Sequence, residues 1–298
     1  MAYYWLAPYL VPYVFIYSIS FIALFVGSIT DLKTREVPDW LNYGLIISGI
    51  AFNLLFSIIY SAPSFIINST VGLLIFFGIA CLMFYAGQWG GGDSKMLMGL
   101  GAAIGLDASF KSQQFLLAFL VNSLLIGAIY GLFWSLLLVF KDKKKFWKEF
   151  SKLLLNKKIA QAKRIIMALL VLFIVAFFFI KIFYLRLLIL SLAFLILTTF
   201  YLWVFVKAIE KSCMYKLVEP QKLTEGDWIV KNIFVGGKYI TGPKDLGISK
   251  SKIRKLADFY NKGKVRKILI KEGIPFVPSF LVAFVITFIF GNLLGLIF

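Results

Sequence analysis

Two carboxylates stand apart from the other acids of this chain. Of its 14 Asp and Glu residues, only Asp31 and Asp93 sit where an apolar stretch meets a polar segment without an evident solvated-loop role. Asp31 lies in SITDLKTREVPDWLN, and Asp93 closes the run Gly90, Gly91, Gly92 in GQWGGGDSKMLMGLGAAIGLD. Two carboxyls brought into contact do not easily both ionise, so they share a proton and divide the work of base and acid. The ionised member takes a proton from water attacking a peptide carbonyl, while its protonated partner polarises that carbonyl and feeds the leaving nitrogen. Each residue also has a plain structural alternative. Asp93 is well placed to cap a helix N-terminus, and Asp31 to pair with Arg35 four residues on.

Other chemistries lack their parts. The chain contains no histidine, which removes Ser-His-Asp and Cys-His sites. Cys81 and Cys213 form no CxxC pair, so neither a zinc site, a disulfide framework nor any other cofactor is expected. A Ser94-Lys95 peptidase is disfavoured because adjacent residues on a helix point apart.

The elements that must position these groups belong in a bilayer. Hydrophobic residues make up 61% of the 298 and charged ones 15%, against roughly 45–50% and 25% in soluble domains. Apolar stretches of spanning length fall at about 9–29, 40–60, 65–86, 114–140, 163–182, 185–206 and 275–297. The short, glycine-rich segment at about 94–106 closes the topology as an eighth. The first run carries no Lys or Arg before it and exceeds a signal peptide's apolar region, so it reads as a permanent helix. The expected fold is an all-α polytopic membrane protein of about eight transmembrane helices with a small cytoplasmic α+β domain. Its divisions are 1–140, a membrane core with both aspartates; 141–206, a basic interfacial helix and two further spans; 207–274, the small domain; and 275–298, a last span.

Charge gives the orientation. Of 32 Lys and Arg, 29 fall in 30–39, at Lys95, in 141–164 and in 207–273, while Lys111, Lys181 and Arg186 lie on the other side. The positive-inside rule then places those four segments in the cytoplasm and both termini outside. Both aspartates thus share one depth at the cytoplasmic edge of the plasma membrane. In 141–164, Phe146, Phe150, Leu153 and Leu154 recur at helical spacing among lysines, as in an interfacial helix on anionic lipid. The +18 net charge comes with no aromatic stacking platform, so membrane lipids are expected as partners and nucleic acid is not. Farther on, EGDWIVKNIFVGGKYITG reads as two short strands around a Gly-Gly turn, and ISKSKIRKLADFY as a helix. Gly101 and Gly105 form a small-residue face suited to close packing on the span that carries Asp31.

At these residues the sequence resembles the GxGD membrane aspartic peptidases, specifically the type IV prepilin peptidase family and its archaeal preflagellin (archaellin) peptidase branch. The resemblance rests on Gly90, Gly91, Gly92 and Asp93 with Lys95 two beyond, and on Asp31 followed by Val37, Pro38 and Asp39. It covers about residues 13–130, and 207–273 with IPFVPSF looks like the C-terminal domain of archaeal members. It implies catalytic roles for Asp31 and Asp93. It also implies that Gly90, Gly91, Gly92, Lys95 and Pro38 position substrate, and that prepilin or preflagellin precursors with short basic leaders are the partners. Glu36 and Asp39, the only other acids behind Asp31, are candidates to receive such a leader. The cysteine-rich insert of bacterial members is missing, so their N-methylation is not expected. Signal-peptide-peptidase types place the first aspartate in a later span beside a tyrosine, whereas Asp31 follows Thr30. A transporter using the aspartates as a proton path would show inverted repeats and broken helices near mid-bilayer, and none is evident.

Overall fold

The computed structural model describes residues 10–107 and 114–297. The expected start of the first span at residue 9, and Lys111, lie outside the described residues. The described parts of 1–132 and 273–298 form one compact unit, and 133–272 form a second.

The first unit contains α1 (Leu10–Thr34), α2 (Asp39–Ile59), α3 (Ser64–Tyr85), α4 (Gly91–Ile104) and most of α5 (Phe115–Lys141). Helices α6 to α9 belong to the second unit, and the chain then returns to the first with α10 (Val277–Phe290) and the single turn α11 (Leu294–Ile297). α1 stops where Arg35 takes a left-handed φ of 62°, and its N–H closes on Asp31 O at 2.9 Å. Pro38, which cannot donate and sits just ahead of α2, keeps 35–38 a short link between the two helices. The core gathers Leu24, Leu45, Phe76, Met96, Leu100, Phe119 and Phe280, all almost wholly buried.

Among the described residues six helices are long and apolar enough to cross a membrane: α1, α2, α3, α5, α7 and α8. The chain is therefore a multi-pass membrane protein. The other two expected crossings are helices of 14 residues, α4 and α10, each about 21 Å long against a hydrocarbon thickness of about 30 Å. A helix that ends early leaves carbonyls that apolar surroundings cannot satisfy. Both ends are met by a buried asparagine from a longer helix. Asn53 of α2 donates to Ala103 O at 2.8 Å and Ala102 O at 3.4 Å, and Ser69 of α3 also donates to Ala102 O. Asn122 of α5 donates to Thr287 Oγ1 at 2.9 Å and Gly291 O at 2.8 Å. Gly105 ends α4 with a φ of 74°, a conformation that side chains disfavour.

The small-residue face of α4 turns to a different neighbour than expected. A Cβ at Gly101 would stand 2.6 Å from Gly72 O, and one at Gly105 would stand 2.9 Å from Asn68 C, both on α3. Small residues specify closeness, not the partner. α4 meets α1 instead where Met96 comes against Gly27, whose Cβ would sit 2.8 Å from Met96 Cε.

The second unit carries α6 (Lys143–Leu154), α7 (Lys157–Phe179) and α8 (Phe183–Ile209). Phe178, Phe179, Phe183 and Phe194 on α7 and α8 are exposed, as lipid-facing side chains are. α6 has the expected apolar face, but the protein itself covers much of it. Phe146 and Leu153 are buried with Ile159, Phe200, Val204, Ala208 and Ile209. Trp147 remains exposed.

Beyond α8 come β1 (Tyr215–Val218), β2 (Trp228–Ile229), β3 (Ile233–Val235), β4 (Lys238–Thr241), α9 (Lys250–Asn261) and β5 (Ile268–Lys271). β3 and β4 form the expected hairpin, with Gly236 and Gly237 at φ of 56° and 75°, the left-handed pair of a tight two-residue turn. β1, β5 and β2 form an antiparallel sheet in that order. Leu223, Ile229, Ile248, Leu256, Ile268 and Ile270 make a small core.

Candidate active site

Asp31 is carried by the last turn and a half of α1, and Asp93 by the first turn of α4. The fold brings their charges within electrostatic range of each other. Asp31 is 5% exposed, and its Oδ2 accepts the Val277 N–H at 3.0 Å. Asp93 is half-buried, and its Oδ2 accepts the Gly90 N–H at 3.0 Å. Each carboxylate thus has one oxygen held by a main-chain donor at the start of a helix. Such donors favour a negative carboxylate and fix its rotation.

Asp93 is not the N-cap. Gly90 holds that position, so Gly91 and Gly92 are already helical and Asp93 reaches back from the third helical residue. Arg35 leaves the helix and its Nη1 donates to Gly273 O at 3.2 Å, while its charge still acts on Asp31.

The glycine run divides its functions. A Cβ on Gly92 would come 3.1 Å from Val37 Cβ, whereas one on Gly91 would meet only Phe84 Cε2 at 3.8 Å. Gly92 therefore lets the loop behind Asp31 close onto α4, while Gly91 is exposed. Asn42 of α2, fully buried, donates to Gly92 O at 3.4 Å. Gly90 adds no side chain between its own N–H and Asp93.

Lys95 pairs with Asp39 at 2.6 Å, and its Nζ lies 5.1 Å from the Tyr43 ring centre. Asp39 is thus already partnered, while Glu36 is exposed. Pro38 stands one residue before α2, next to Val37, which is buried. With Lys95 engaged and the Ser94 hydroxyl buried without a hydrogen-bond partner among the described residues, a Ser-Lys couple is not assembled. Among the described residues no three His, Cys, Asp or Glu side chains come together as a metal ion requires.

Four contributors were not read from the sequence. Val277 supplies the donor to Asp31, and Asn42 holds the glycine run. Tyr130 of α5 lies within electrostatic range of Asp31 and Arg35. Trp89, 4% exposed, packs on Phe276 and Phe280 with ring centres 6.0 and 5.3 Å away. A polar residue within an apolar run was the available signal for Asn42 and Tyr130. None pointed to Val277.

Residues 18–132 match the profile of the type IV leader peptidase family. A preflagellin peptidase of Methanocaldococcus jannaschii is 39% identical over 88 residues, which is 30% of this chain and 37% of that protein. A preflagellin peptidase of Methanococcus maripaludis is 39% identical over 88 residues, 30% of this chain and 38% of its own length. One from Methanococcus voltae is 38% identical over 88 residues, with 30% and 37% covered. The aligned stretch thus spans less than two fifths of these curated relatives. No solved structure matches the chain.

Proposed function

We propose that this chain, whose residues 18–132 match the type IV leader peptidase family, is a membrane aspartic endopeptidase of that family. It removes the short basic leader of preflagellin-like or prepilin-like precursors at the cytoplasmic face. What supports this reading is that α1 and α4 bring Asp31 and Asp93 within electrostatic range of each other, each with one oxygen held by a main-chain N–H.

In the reaction one carboxylate is ionised and the other protonated. The ionised member takes a proton from a water molecule as its oxygen bonds to the scissile carbonyl carbon. The protonated member gives its proton to the carbonyl oxygen, and the proton taken from water passes to the leaving nitrogen as the C–N bond breaks. At the tetrahedral stage the two carboxyls have exchanged proton states; as the C–N bond breaks, one gem-diol hydroxyl returns its proton to the second carboxylate, so the starting states are restored. The exposed Gly91, where even a Cβ would meet only Phe84 Cε2 at 3.8 Å, leaves room for an extended peptide beside Asp93, since backbone without Cβ admits another chain closely.

The test is cleavage by the detergent-solubilised protein of a panel of preflagellin-like and prepilin-like precursors, read by mass. Loss of the leader at a single bond supports the assignment. Intact precursors throughout, from a protein that remains folded, would reject it.

A further inference from the structure

We infer that the main-chain N–H of Val277 is a positioning group for Asp31, held in place by the bond from Arg35 to Gly273 O. The inference rests on the peptidase reading given above. Two hydrogen bonds join the end of α1 to the start of α10. Val277 N–H meets Asp31 Oδ2 at 3.0 Å, and Arg35 Nη1 meets Gly273 O at 3.2 Å. The partners are four residues apart on both segments, 31 with 35 and 273 with 277, so the two strands of chain are clasped at two points. Asp31 and Val277 are 5% and 0% exposed, so water cannot readily replace the donor.

The donor fixes which oxygen of Asp31 is committed. With Oδ2 bound, rotation of the carboxyl would break a charge-assisted bond in a buried setting, which is costly. The adjoining main-chain donor of Phe276 also acts on this carboxyl, so losing the Val277 N–H removes one of two donors that the start of α10 presents to Asp31. The same turn of α10 also bears on the second carboxylate. Phe276 and Phe280 pack against Trp89, the residue before Gly90, whose N–H holds Asp93 Oδ2. A segment 246 residues from Asp31 in sequence thereby sets the geometry of both.

The direct test removes the N–H alone. In the full-length protein, Val277 is replaced by its α-hydroxy acid through nonsense suppression, which keeps the side chain and turns the amide into an ester. The expected result is a fall of about ten- to a hundredfold in kcat with KM unchanged. Val277→Ala, which keeps the N–H, should lose clearly less. Arg35→Ala should lower kcat by itself and add little on the ester background, because both changes release one clasp. Wild-type kcat in the ester protein, or an equal fall in Val277→Ala, would overturn the inference. A fully multiplicative loss with Arg35→Ala would remove the Arg35 part of it.

Infrared spectroscopy keeps this test separate from that of the peptidase reading. The Asp31 carboxylate band, isolated as the difference from Asp31→Asn, should shift in the ester protein whether or not any precursor is cut. An unshifted band would overturn the inference even in an active enzyme.

Discussion

Lys95 reaches from the first turn of α4 to Asp39, the first residue of α2, leaving 2.6 Å between Nζ and Oδ1. Asp39 is therefore already paired, while the exposed Glu36 has no ion pair among the described residues. If these acids receive a basic leader, Glu36→Gln should raise KM a fewfold at low ionic strength, and Asp39→Asn should raise it less. Both effects should fade in high salt, since exposed attractions are screened. Precursor cleavage measured across salt concentrations checks this, and salt-independent KM values in both variants would leave the two acids as loop solvation.

Gly91 and Gly92 should separate. Gly92→Val must displace Val37, which already stands 3.1 Å from a Cβ at that position, and with it the loop behind Asp31. Turnover should fall at least tenfold. Gly91→Ala meets ordinary contact only and should fold like the native protein, with its loss confined to KM. Steady-state kinetics on the two purified variants decides between them. Full activity in Gly92→Val would show that the closure of Val37 onto α4 does not matter to the site.

Asn53 holds the end of α4 by hydrogen bonds to Ala102 O and Ala103 O. Asn53→Leu leaves those buried carbonyls with fewer donors, at a cost of about 1–3 kcal/mol for each unsatisfied group. Thermal unfolding in detergent should begin several degrees lower. Asn53→Leu with an unchanged unfolding temperature would mean that the Asn53 bonds do not hold α4.

Asp31 and Asp93 stand out in the sequence because chemistry limits where a carboxylate can sit at the end of an apolar run, and the fold brings their charges within range of each other. The β3–β4 hairpin and α9 were legible because turn chemistry and periodicity are local. What stayed hidden depends on partners far away in the chain. An asparagine in an apolar stretch signals a hydrogen bond without naming its acceptor, so the roles of Asn53 and Asn122 in ending α4 and α10 could not be read. Gly101 and Gly105 announced a close approach but not that α3 makes it. β5 escaped because four residues, Ile268–Lys271, carry too little alternation, and their place between β1 and β2 is set by pairing. Val277 acts through its main chain, which no side-chain pattern records.

The central claim is that Asp31 and Asp93 act as one unit, and kinetics of Asp31→Asn, Asp93→Asn and the double variant test it most directly. Asparagine keeps the shape and one acceptor oxygen, so the N–H bonds from Val277 and Gly90 can persist while titration is lost. Each single variant should insert, bind precursor and lose about 10²–10⁴-fold in kcat. The double variant should be no worse than the weaker single, because either change already removes the proton exchange. The measurement is precursor cleavage by the four proteins, purified from a host strain that lacks leader peptidase. Equal loss in all three variants is the predicted result. A single variant that cleaves near the wild-type rate, or a double variant whose loss is the product of the two, would contradict the account.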